Sequence, residues 1–538
     1  MVASLLRVVI YAIIAGVSSH AVIKRSEPSA LTVLLAVVCY LVVSIVALCH
    51  TKGFGMLDAS KYTVCVLAAY LASLVATVIV YRLSPWHPLA QYSGPRPAKI
   101  TKWWMAFWIA RGNRHLKLRE LHEIYGPWVR IGPNELSVNA PEAVKPIYGQ
   151  IFRAPFYQGA PQDANALVTT LNREEYSQRL IAWHKAFNSE MLHTYQEFAA
   201  ARTDQLVQIL KREGAGGKRV SLSHWISLWA MDVMGDMAFS GGFETMVAGK
   251  DKEGWMEVLS IGVRFVGILG QVPWMRDIVA LLPQPGPIVT FQKFASKKVK
   301  ETKGNMIGTS KDILGIIQEQ SSGEPLLSPQ EATADASFMI VAGSDTIAQA
   351  LIALFRYIIG NEDAQKRLCA ELNELADGQA GNADAPTLAR LPYLDACVQE
   401  ALRMVPPVPA GPPRYTGDRG YDILGRFIPP YTTLACPIFA LHRDPMNFRN
   451  PDKFMPERWL PDSSIQPHIK EGFIPFSCGI GICIGKQVAL QNMKVFTAIL
   501  LHHFKLSLAK GFDLDKFDAS YKEHNLWRHD SLDVLLSA

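Results

Sequence analysis

Two stretches near the amino terminus carry no charged side chain, and they limit what this chain of 538 residues can fold into. They cover residues 29–49 and 62–81, and each matches the roughly 20 residues that a helix needs to cross a bilayer. A third apolar stretch, residues 8–23, contains His20 and is a weaker candidate. We therefore predict an anchor of two to three transmembrane helices, in preference to buried helices of a soluble core or a cleaved signal peptide.

A proline-rich segment follows the apolar stretch of residues 62–81. Pro85, Pro88, Pro95 and Pro97 lie within it, and proline cannot continue a helix because it fixes φ and lacks an N–H donor. The segment predicts a stiff exit from the membrane. We accordingly divide the chain into a membrane anchor (residues 1–84) and a large C-terminal domain (residues 85–538).

Basic residues predict the orientation in the membrane. Two groups follow apolar stretches: Lys24 and Arg25 come after residues 8–23, and Arg82, Arg96, Lys99 and Lys102 come after residues 62–81. The positive-inside rule places both groups in the cytosol, although Lys52 and Lys61 on the opposite side count against it. The predicted location is the endoplasmic reticulum membrane, with the C-terminal domain facing the cytosol.

Charge and cysteine usage exclude several classes of protein. The formal net charge is +6, which is too small to indicate nucleic-acid binding, and we expect no nucleic-acid partner. Eight scattered cysteines in a chain of this length do not form a disulfide framework, and they favour a reducing compartment.

A long helix is predicted in the second half of the chain. Ser328, Pro329 and Glu331 form a helix start with a capping box, and the helical pattern continues to about Ile359. Polar and small residues, 342–346, interrupt its apolar centre. Small residues at this place permit close approach of a bulky group, and hydroxyl side chains loosen the backbone ladder.

A glycine-rich loop near the carboxyl terminus contains a candidate metal ligand. Residues 473–486 have the sequence FIPFSCGIGICIGK, and an apolar helical pattern follows them. Cys483 therefore precedes a helix N-terminus, where backbone N–H groups stabilise a thiolate. The glycines leave room for a flat group, and a thiolate in an apolar loop is a good axial ligand for haem iron.

This loop resembles the haem loop of the cytochrome P450 (haem-thiolate monooxygenase) family. Four residues fall on the family pattern: Phe476, Gly479, Cys483 and Gly485. Residues 342–346 (AGSDT), 400–403 (EALR) and 454–459 (FMPERW) resemble three further family motifs, in the family's usual order. The resemblance covers the chain from about residue 85 onwards, and the anchor is similar to that of fungal membrane-bound members.

The resemblance implies a mainly helical fold with small β-sheets and a long central helix over the haem. It also implies haem b bound through the Cys483 thiolate, with Asp345 and Thr346 delivering protons during O2 activation. Electrons would come from NADPH through a flavoprotein reductase, to which Lys486 and Lys494 would present a basic face. The substrate would be a lipophilic small molecule, such as a terpenoid or another secondary metabolite.

The sequence departs from the family at Gly481, where most members carry Arg or His that binds a haem propionate. The resemblance implies that Trp183, on a helix predicted over 179–187, and Arg414 take over this role, with Lys185 as a further candidate. Plain core packing for Trp183 and a plain surface position for Lys185 are the alternatives. Restoring Arg at position 481 is therefore expected to improve haem retention.

Other implied features concern support and specificity. By resemblance, Glu400, Arg403 and Arg458 form a structural ion-pair network behind the haem. The walls of the substrate pocket are predicted from four segments: residues 152–171, 255–291, 405–413 and 524–527. Two other functions remain open, namely a haem-thiolate isomerase or dehydratase that does not need O2, and a non-catalytic membrane haem protein.

Overall fold

The computed structural model describes residues 2–24, 28–159, 163–241, 243–283, 285–304, 312–318, 327–375 and 385–537. It is mainly helical, as predicted. The α-helices are, in chain order, α1 (Val2–Ile23), α2 (Ala30–Lys52), α3 (Met56–Leu83), α4 (Arg96–Ile100), α5 (Trp103–Ala110), α6 (Arg114–Tyr125), α7 (Pro141–Gln150), α8 (Arg173–Lys185), α9 (Ser189–Glu213), α10 (Leu222–Phe239), α11 (Thr245–Ala248), α12 (Trp255–Gln271), α13 (Arg276–Val279), α14 (Gly286–Gly304), α15 (Ile313–Gln318), α16 (Pro329–Ile359), α17 (Glu362–Asn373), α18 (Ala385–Leu388), α19 (Pro392–Met404), α20 (Ile438–Arg443), α21 (Lys486–His503) and α22 (Leu514–Ala519).

Small β-sheets accompany these helices. The strands are β1 (Trp128–Gly132), β2 (Glu135–Val138), β3 (Val220–Ser221), β4 (Arg414–Tyr415), β5 (Tyr421–Ile423), β6 (Arg426–Ile428), β7 (Thr433–Ala435), β8 (Lys505–Leu508), β9 (Lys522–Glu523), β10 (Trp527–Arg528) and β11 (Asp533–Ser537). They form a four-stranded sheet in the order β1-β2-β7-β4, a three-stranded sheet β3-β11-β8, and the pairs β5-β6 and β9-β10. Only the pairing of β2 with β7 is parallel among the described strands.

Three N-terminal helices are long and apolar enough to cross a membrane. They are α1, α2 and α3, so the stretch at residues 8–23, the weakest candidate, also forms a helix of sufficient length. Helix α16 meets the same length and composition criteria, but 67% of its apolar window is buried inside the protein. It is therefore a core helix, whereas the three N-terminal helices expose apolar surface that suits a membrane anchor.

Helices α1 and α3 pack closely against each other. A methyl group at Gly16 of α1 would collide with Ser73 Oγ and the Tyr70 carbonyl of α3, so only glycine permits this approach. Across the same interface, the Tyr70 hydroxyl donates to Ser19 Oγ at 3.0 Å. The first and third membrane helices thus form a specific pair.

The proline-rich segment connects α3 to the C-terminal domain through direct contacts. Arg82, in the last turn of α3, donates from Nη1 to the carbonyl of Ile100 at 2.6 Å. The backbone N–H of Arg130 in β1 donates to Ser93 O at 2.8 Å, and the side chain of Arg130 is buried. These hydrogen bonds hold the proline-rich segment against β1 and α4, whereas its role as an exit from the membrane stays a prediction.

The long central helix has the predicted limits. Ser328 Oγ accepts from Glu331 N at 3.2 Å, and the Glu331 carboxylate accepts from Ser328 N at 2.8 Å, which completes the capping box. Helix α16 packs on α10, and a methyl group at Gly343 would collide with Met234 of α10. The bulky neighbour that Gly343 accommodates is therefore a side chain of the protein.

Candidate active site

The cysteine loop is shaped by backbone hydrogen bonds. Cys483 N donates to Phe476 O at 3.0 Å, which closes the loop on itself. Ile480 N donates to Tyr148 O at 2.8 Å, which holds the loop against α7. Gly479 has φ +61°, and a methyl group there would lie 2.5 Å from Tyr148 O. A side chain at position 479 would therefore push the loop away from α7.

Cys483 is surrounded by protein atoms, but part of its surface remains exposed. Protein atoms enclose the residue, and burial raises the pKa of its thiol, against the backbone N–H of Gly485 and the charge of Lys486. Part of the Cys483 surface is nevertheless exposed, so the side chain borders an open space beside the loop. Gly485, the N-cap of α21, lies between Cys483 and Phe187, since a methyl group there would be in ordinary contact, at 4.0 Å, with both Cys483 Sγ and the Phe187 ring.

Two guanidinium groups lie beside this loop, that of the buried Arg414 and that of the half-buried Arg153. Arg153 and Arg414 face each other in an antiparallel β-bridge, and a Cβ atom on Gly481 would lie 3.8 Å from Arg153 Nη2 and 3.3 Å from Arg414 Nη2. Arg414 donates from Nη2 to Ile480 O at 2.8 Å, whereas its buried Nε has no partner. Burial lowers the pKa of Arg153, and the charge of Arg414 acts in the same direction.

This pair of cations is the observation that tests whether the site suits haem. In the described ranges, no ion pair joins Arg153 or Arg414 to a carboxylate, although two adjacent positive charges, one of them fully buried, call for anionic partners. Haem carries two carboxylates and a metal that accepts a thiolate. The residues present therefore fit a haem, with Cys483 on the metal and the two arginines on the carboxylates.

Arg153 was missed by the sequence reasoning. It lies in the segment 152–171, which was predicted only as a pocket wall, and its β-bridge to Arg414 joins positions that are far apart in the chain. No local pattern signals that contact. Besides facing Gly481, Arg153 donates from Nη1 to Leu167 O at 2.5 Å, so it also holds the loop that follows.

Trp183 is buried on α8, which spans Arg173–Lys185 and so begins and ends earlier than predicted. Its Nε1 makes no hydrogen bond of good geometry, yet it lies close enough to Asp335 to favour the ionised carboxylate there. Asp335 also accepts from Arg179 at 2.8 Å. The indole N–H has donor capacity for a carboxylate, and its role toward haem stays a prediction.

Asp345 and Thr346 lie in the middle of α16 but bond to different groups. Thr346 Oγ1 donates to Ala342 O at 2.6 Å, within its own helix. The Asp345 carboxylate accepts from Arg528 Nη1 at 3.0 Å and from Gln349 Nε2 at 3.3 Å. Helix α16 stays continuous despite these hydroxyl contacts. Arg528 is a second residue that the sequence reasoning missed.

The Glu400 carboxylate accepts hydrogen bonds from several donors in the interior. Arg403 donates from Nε and Nη2 at 2.8 Å each, and Arg458 donates from Nε at 3.1 Å. Met455 N and Trp459 Nε1 also donate, both at 2.9 Å. Burial favours the neutral acid, but these partners outweigh it and lower the pKa of Glu400. The predicted ion-pair network is present, with Trp459 as an additional member.

One cavity of the domain has a volume of about 480 Å³. Its lining draws on all four segments predicted as pocket walls, for example at Phe156, Gly270, Ala410 and Asn525. The lining includes neither Cys483 nor Thr346, and it reaches Lys24 and Ser29 in the anchor. We call this space the approach cavity, because its wall joins residues of the anchor to residues of the C-terminal domain.

The predicted basic face on α21 is weaker than expected. Lys494 Nζ lies 2.6 Å from Asp395 Oδ1, so that charge is neutralised within the protein. Only Lys486 remains of the two lysines named for the reductase contact. Arg25, which we counted with Lys24 among the basic residues after residues 8–23, lies outside the described residues.

Comparison with known proteins agrees with this arrangement. The family model "Cytochrome P450" matches residues 94–525. "Cytochrome P450 67" of Uromyces fabae is 30% identical over 540 residues, which cover 95% of this chain and 96% of the relative. "Tryprostatin B 6-hydroxylase" of Aspergillus fumigatus is 31% identical over 501 residues, with 89% and 88% covered. "Cytochrome P450 monooxygenase AMT3" of Alternaria alternata is 31% identical over 443 residues, with 79% and 90% covered. The chain thus belongs to the cytochrome P450 family of haem-thiolate enzymes and is an oxidoreductase of the monooxygenase type.

Proposed function

We propose that this protein inserts one oxygen atom from O2 into a lipophilic small molecule, using electrons that an NADPH-dependent flavoprotein reductase supplies. The observation that carries the proposal is the position of Cys483, in an enclosed loop directly before α21. Beside it lie the guanidinium groups of Arg153 and Arg414, which no carboxylate of the described residues neutralises. That combination matches haem, because it places a metal-binding thiol beside a site for two carboxylates.

The cofactor in this proposal is haem b, which supplies the O2 chemistry when bound. Cys483 holds its metal, while Arg153 and Arg414 bind its carboxylates through charge-assisted hydrogen bonds. Trp183 adds a further N–H donor from α8. These partners fix the orientation of the ring and keep water away from the sulfur.

The remaining loop residues act on the protein side of the cofactor. Phe476 accepts the backbone hydrogen bond of Cys483, while Gly479 and Gly485 allow the loop to lie close to α7 and Phe187. In this proposal they set the distance between the sulfur and the ring and take no part in proton transfer. Substitution at these positions would displace the ligand without removing it.

Proton delivery is assigned to Asp345 and Thr346. A carboxylate can take up a proton from water, and the neighbouring hydroxyl can pass it on by hydrogen bonding. Both side chains first have to leave their present partners, Arg528 for Asp345 and Ala342 O for Thr346. The pair therefore acts through small side-chain movements on a continuous helix.

We place the protein in the endoplasmic reticulum membrane, with residues 1–84 as the anchor and residues 85–538 as the catalytic domain in the cytosol. Lys24 after α1 and Arg82 at the end of α3 support this orientation by the positive-inside rule. The approach cavity reaches the anchor, which suits a substrate that partitions into lipid.

The substrate is proposed to be a secondary metabolite, such as a terpenoid. The names of the relatives support a role in fungal metabolism, since one of them is called a hydroxylase of tryprostatin B. Apolar residues in a wall of mixed character, such as Phe156, Trp274 and Ile131, support a largely lipophilic compound. Hydroxylation of a C–H bond is the reaction we expect.

The decisive experiment combines a spectrum with an activity. The full-length protein is purified in nanodiscs, and the absorption of the reduced protein is recorded under carbon monoxide. A thiolate-type band is expected, and its absence would exclude both this function and the isomerase. NADPH-dependent O2 uptake with a reductase and candidate terpenoids then separates a monooxygenase, which consumes O2, from an isomerase or dehydratase, which does not.

A further inference from the structure

A cavity of about 410 Å³ adjoins α16 on the side where the Asp345 carboxylate lies. Its wall combines apolar residues, such as Met231 and Leu259, with six serines: Ser221, Ser223, Ser227, Ser260, Ser344 and Ser531. Asp345, Gln349 and Arg528 complete the inner end, whereas Thr346 is not part of the wall. We call this space the serine-lined cavity.

The serine-lined cavity has the chemistry of a water-holding site. Gln349 is only 5% exposed, and its buried Oε1 has no hydrogen-bond partner in the part of the chain that the structure describes. A buried polar atom of this kind is usually satisfied by water, and a cavity of this size, with polar groups in part of its wall, accommodates several molecules. Water in the cavity would also contact the carboxylate of Asp345.

Arg528 is held by hydrogen bonds to three elements, whereas Asp345 bonds only to Arg528 and to Gln349 of its own helix. The guanidinium donates from Nε to Ser260 Oγ at 2.5 Å and from Nη1 to Trp527 O at 2.6 Å, as well as to Asp345 at 3.0 Å. These contacts join α12, β10 and α16. The side chains of Asp345 and Arg528 are 18% and 32% exposed, so their ion pair is partly hydrated and weak enough to open.

We propose that the serine-lined cavity is the route by which protons reach Asp345 from solvent, and that Arg528 is a positioning residue that holds the Asp345 carboxylate at the cavity wall. This inference rests on the proposed function, because it supplies the proton source for the Asp345–Thr346 pair. A cavity water protonates the carboxylate, whose bond to Arg528 then weakens. The protonated acid turns toward Thr346, releases its proton and returns as a carboxylate, so one proton enters from solvent for each proton delivered.

The alternative is that the ion pair only fastens the C-terminal strands to α16. The chain offers a matched control for that role, because Arg219 pairs with Asp533 between β11 and the residue before β3, outside the cavity lining. Arg219→Met therefore removes an ion pair from the C-terminal strands without touching the proton route. Arg528→Lys keeps a positive charge near Asp345 and tests rescue.

The experiment measures the full-length protein in nanodiscs with a reductase. Wild type must first give the thiolate-type carbon monoxide spectrum and reductase-dependent NADPH oxidation, because failure at this stage would refute the proposed function and not this inference. The readouts are the hydrogen peroxide released per NADPH oxidised and the ratio of NADPH oxidation rates in H2O and D2O. Neither readout requires the natural substrate to be known.

Arg528→Met is expected to raise the peroxide yield severalfold and to increase the solvent isotope effect, with Arg528→Lys intermediate and Arg219→Met like wild type. Ser227→Leu, which fills part of the cavity, is expected to change both readouts in the same direction. Wild-type values in Arg528→Met, with a lowered unfolding midpoint, would show that the pair is only structural. Wild-type values in a folded Ser227→Leu variant would show that protons take another route.

Discussion

Replacing Gly481 by Arg is expected to weaken haem binding, which reverses the expectation drawn from the sequence alone. Gly481 has φ +84°, a region that costs a side-chain-bearing residue about 1–3 kcal/mol. Its Cβ would lie 3.3 Å from Arg414 Nη2 and 3.8 Å from Arg153 Nη2, so a third cation would enter a space that two cations already border. A guanidinium that came within about 4 Å of either arginine would be repelled by about 4 kcal/mol at an effective dielectric constant of about 20.

The haem carboxylates offset part of this repulsion, because they neutralise two of the three positive charges. We expect a net loss of about 2–3 kcal/mol of haem-binding free energy, which corresponds to roughly 30- to 150-fold faster haem loss. Removing a cation instead, by Arg153→Gln, deletes one charge-assisted hydrogen bond worth about 1.5–3 kcal/mol. The double variant with both substitutions is expected to regain part of the loss, since the positive charge returns to its original value.

The assay is transfer of haem from the nanodisc-embedded protein to an excess of apomyoglobin, followed by absorbance. Gly511→Arg is the control for Gly481→Arg, because Gly511 has φ +78° but no atoms within 4 Å of the added Cβ. It imposes the same backbone strain without crowding a cation. Equal or slower haem loss in Gly481→Arg than in wild type would refute the assignment of Arg153 and Arg414 to the haem carboxylates.

Four further predictions concern the ligand, the support network, proton delivery and acid stability. Cys483→Ser is expected to abolish the thiolate-type band of the reduced carbon monoxide complex, and an unchanged band would assign the ligand elsewhere. Glu400→Gln leaves buried arginines without their counter-charge, at a cost of about 3–5 kcal/mol, which chemical unfolding followed by haem absorbance would detect as a lower midpoint. Thr346→Ala is expected to retain haem while diverting NADPH electrons to hydrogen peroxide, whereas unchanged coupling to product would remove this hydroxyl from the proton route. Burial lowers the pKa of His122 to about 4, so the unfolded chain takes up a proton below its ordinary value of 6.5 while the folded protein does not. Stability is therefore expected to fall between pH 6.5 and about 4, and His122→Gln should flatten that part of the unfolding profile.

The local features of the fold were predictable because neighbouring residues determine them. Ser328 and Glu331 cap their own helix, and the apolar stretches form α1, α2 and α3 with slightly wider limits than predicted. The order of the four motifs was sufficient to identify the family. The cysteine loop, likewise, is held by a bond between Cys483 and Phe476, which are seven positions apart in the chain.

The partners of the site were not predictable, because they come from distant parts of the chain. Arg153 meets Arg414 through a β-bridge, and Arg528 reaches Asp345 from a C-terminal strand. Neither contact has a periodicity or a spacing that a single sequence displays. Gly343 illustrates a different limit, since its small size was recognised but the neighbour that requires it, Met234, is set by helix packing.

Hydrogen bonds tie Arg82, at the end of α3, to Ile100 of α4, and Ser93, in the proline-rich segment, to Arg130 of β1. They restrict rotation of the domain about the end of α3, so the length of α3, if it spans the bilayer as proposed, sets the distance of the domain from the lipid. Inserting one residue into that helix would lift the domain by about 1.5 Å and rotate it by about 100° around the helix axis. The mouth of the approach cavity would then sit at another depth, so oxidation of lipid-dissolved compounds should depend on the thickness of the bilayer in which the enzyme is reconstituted.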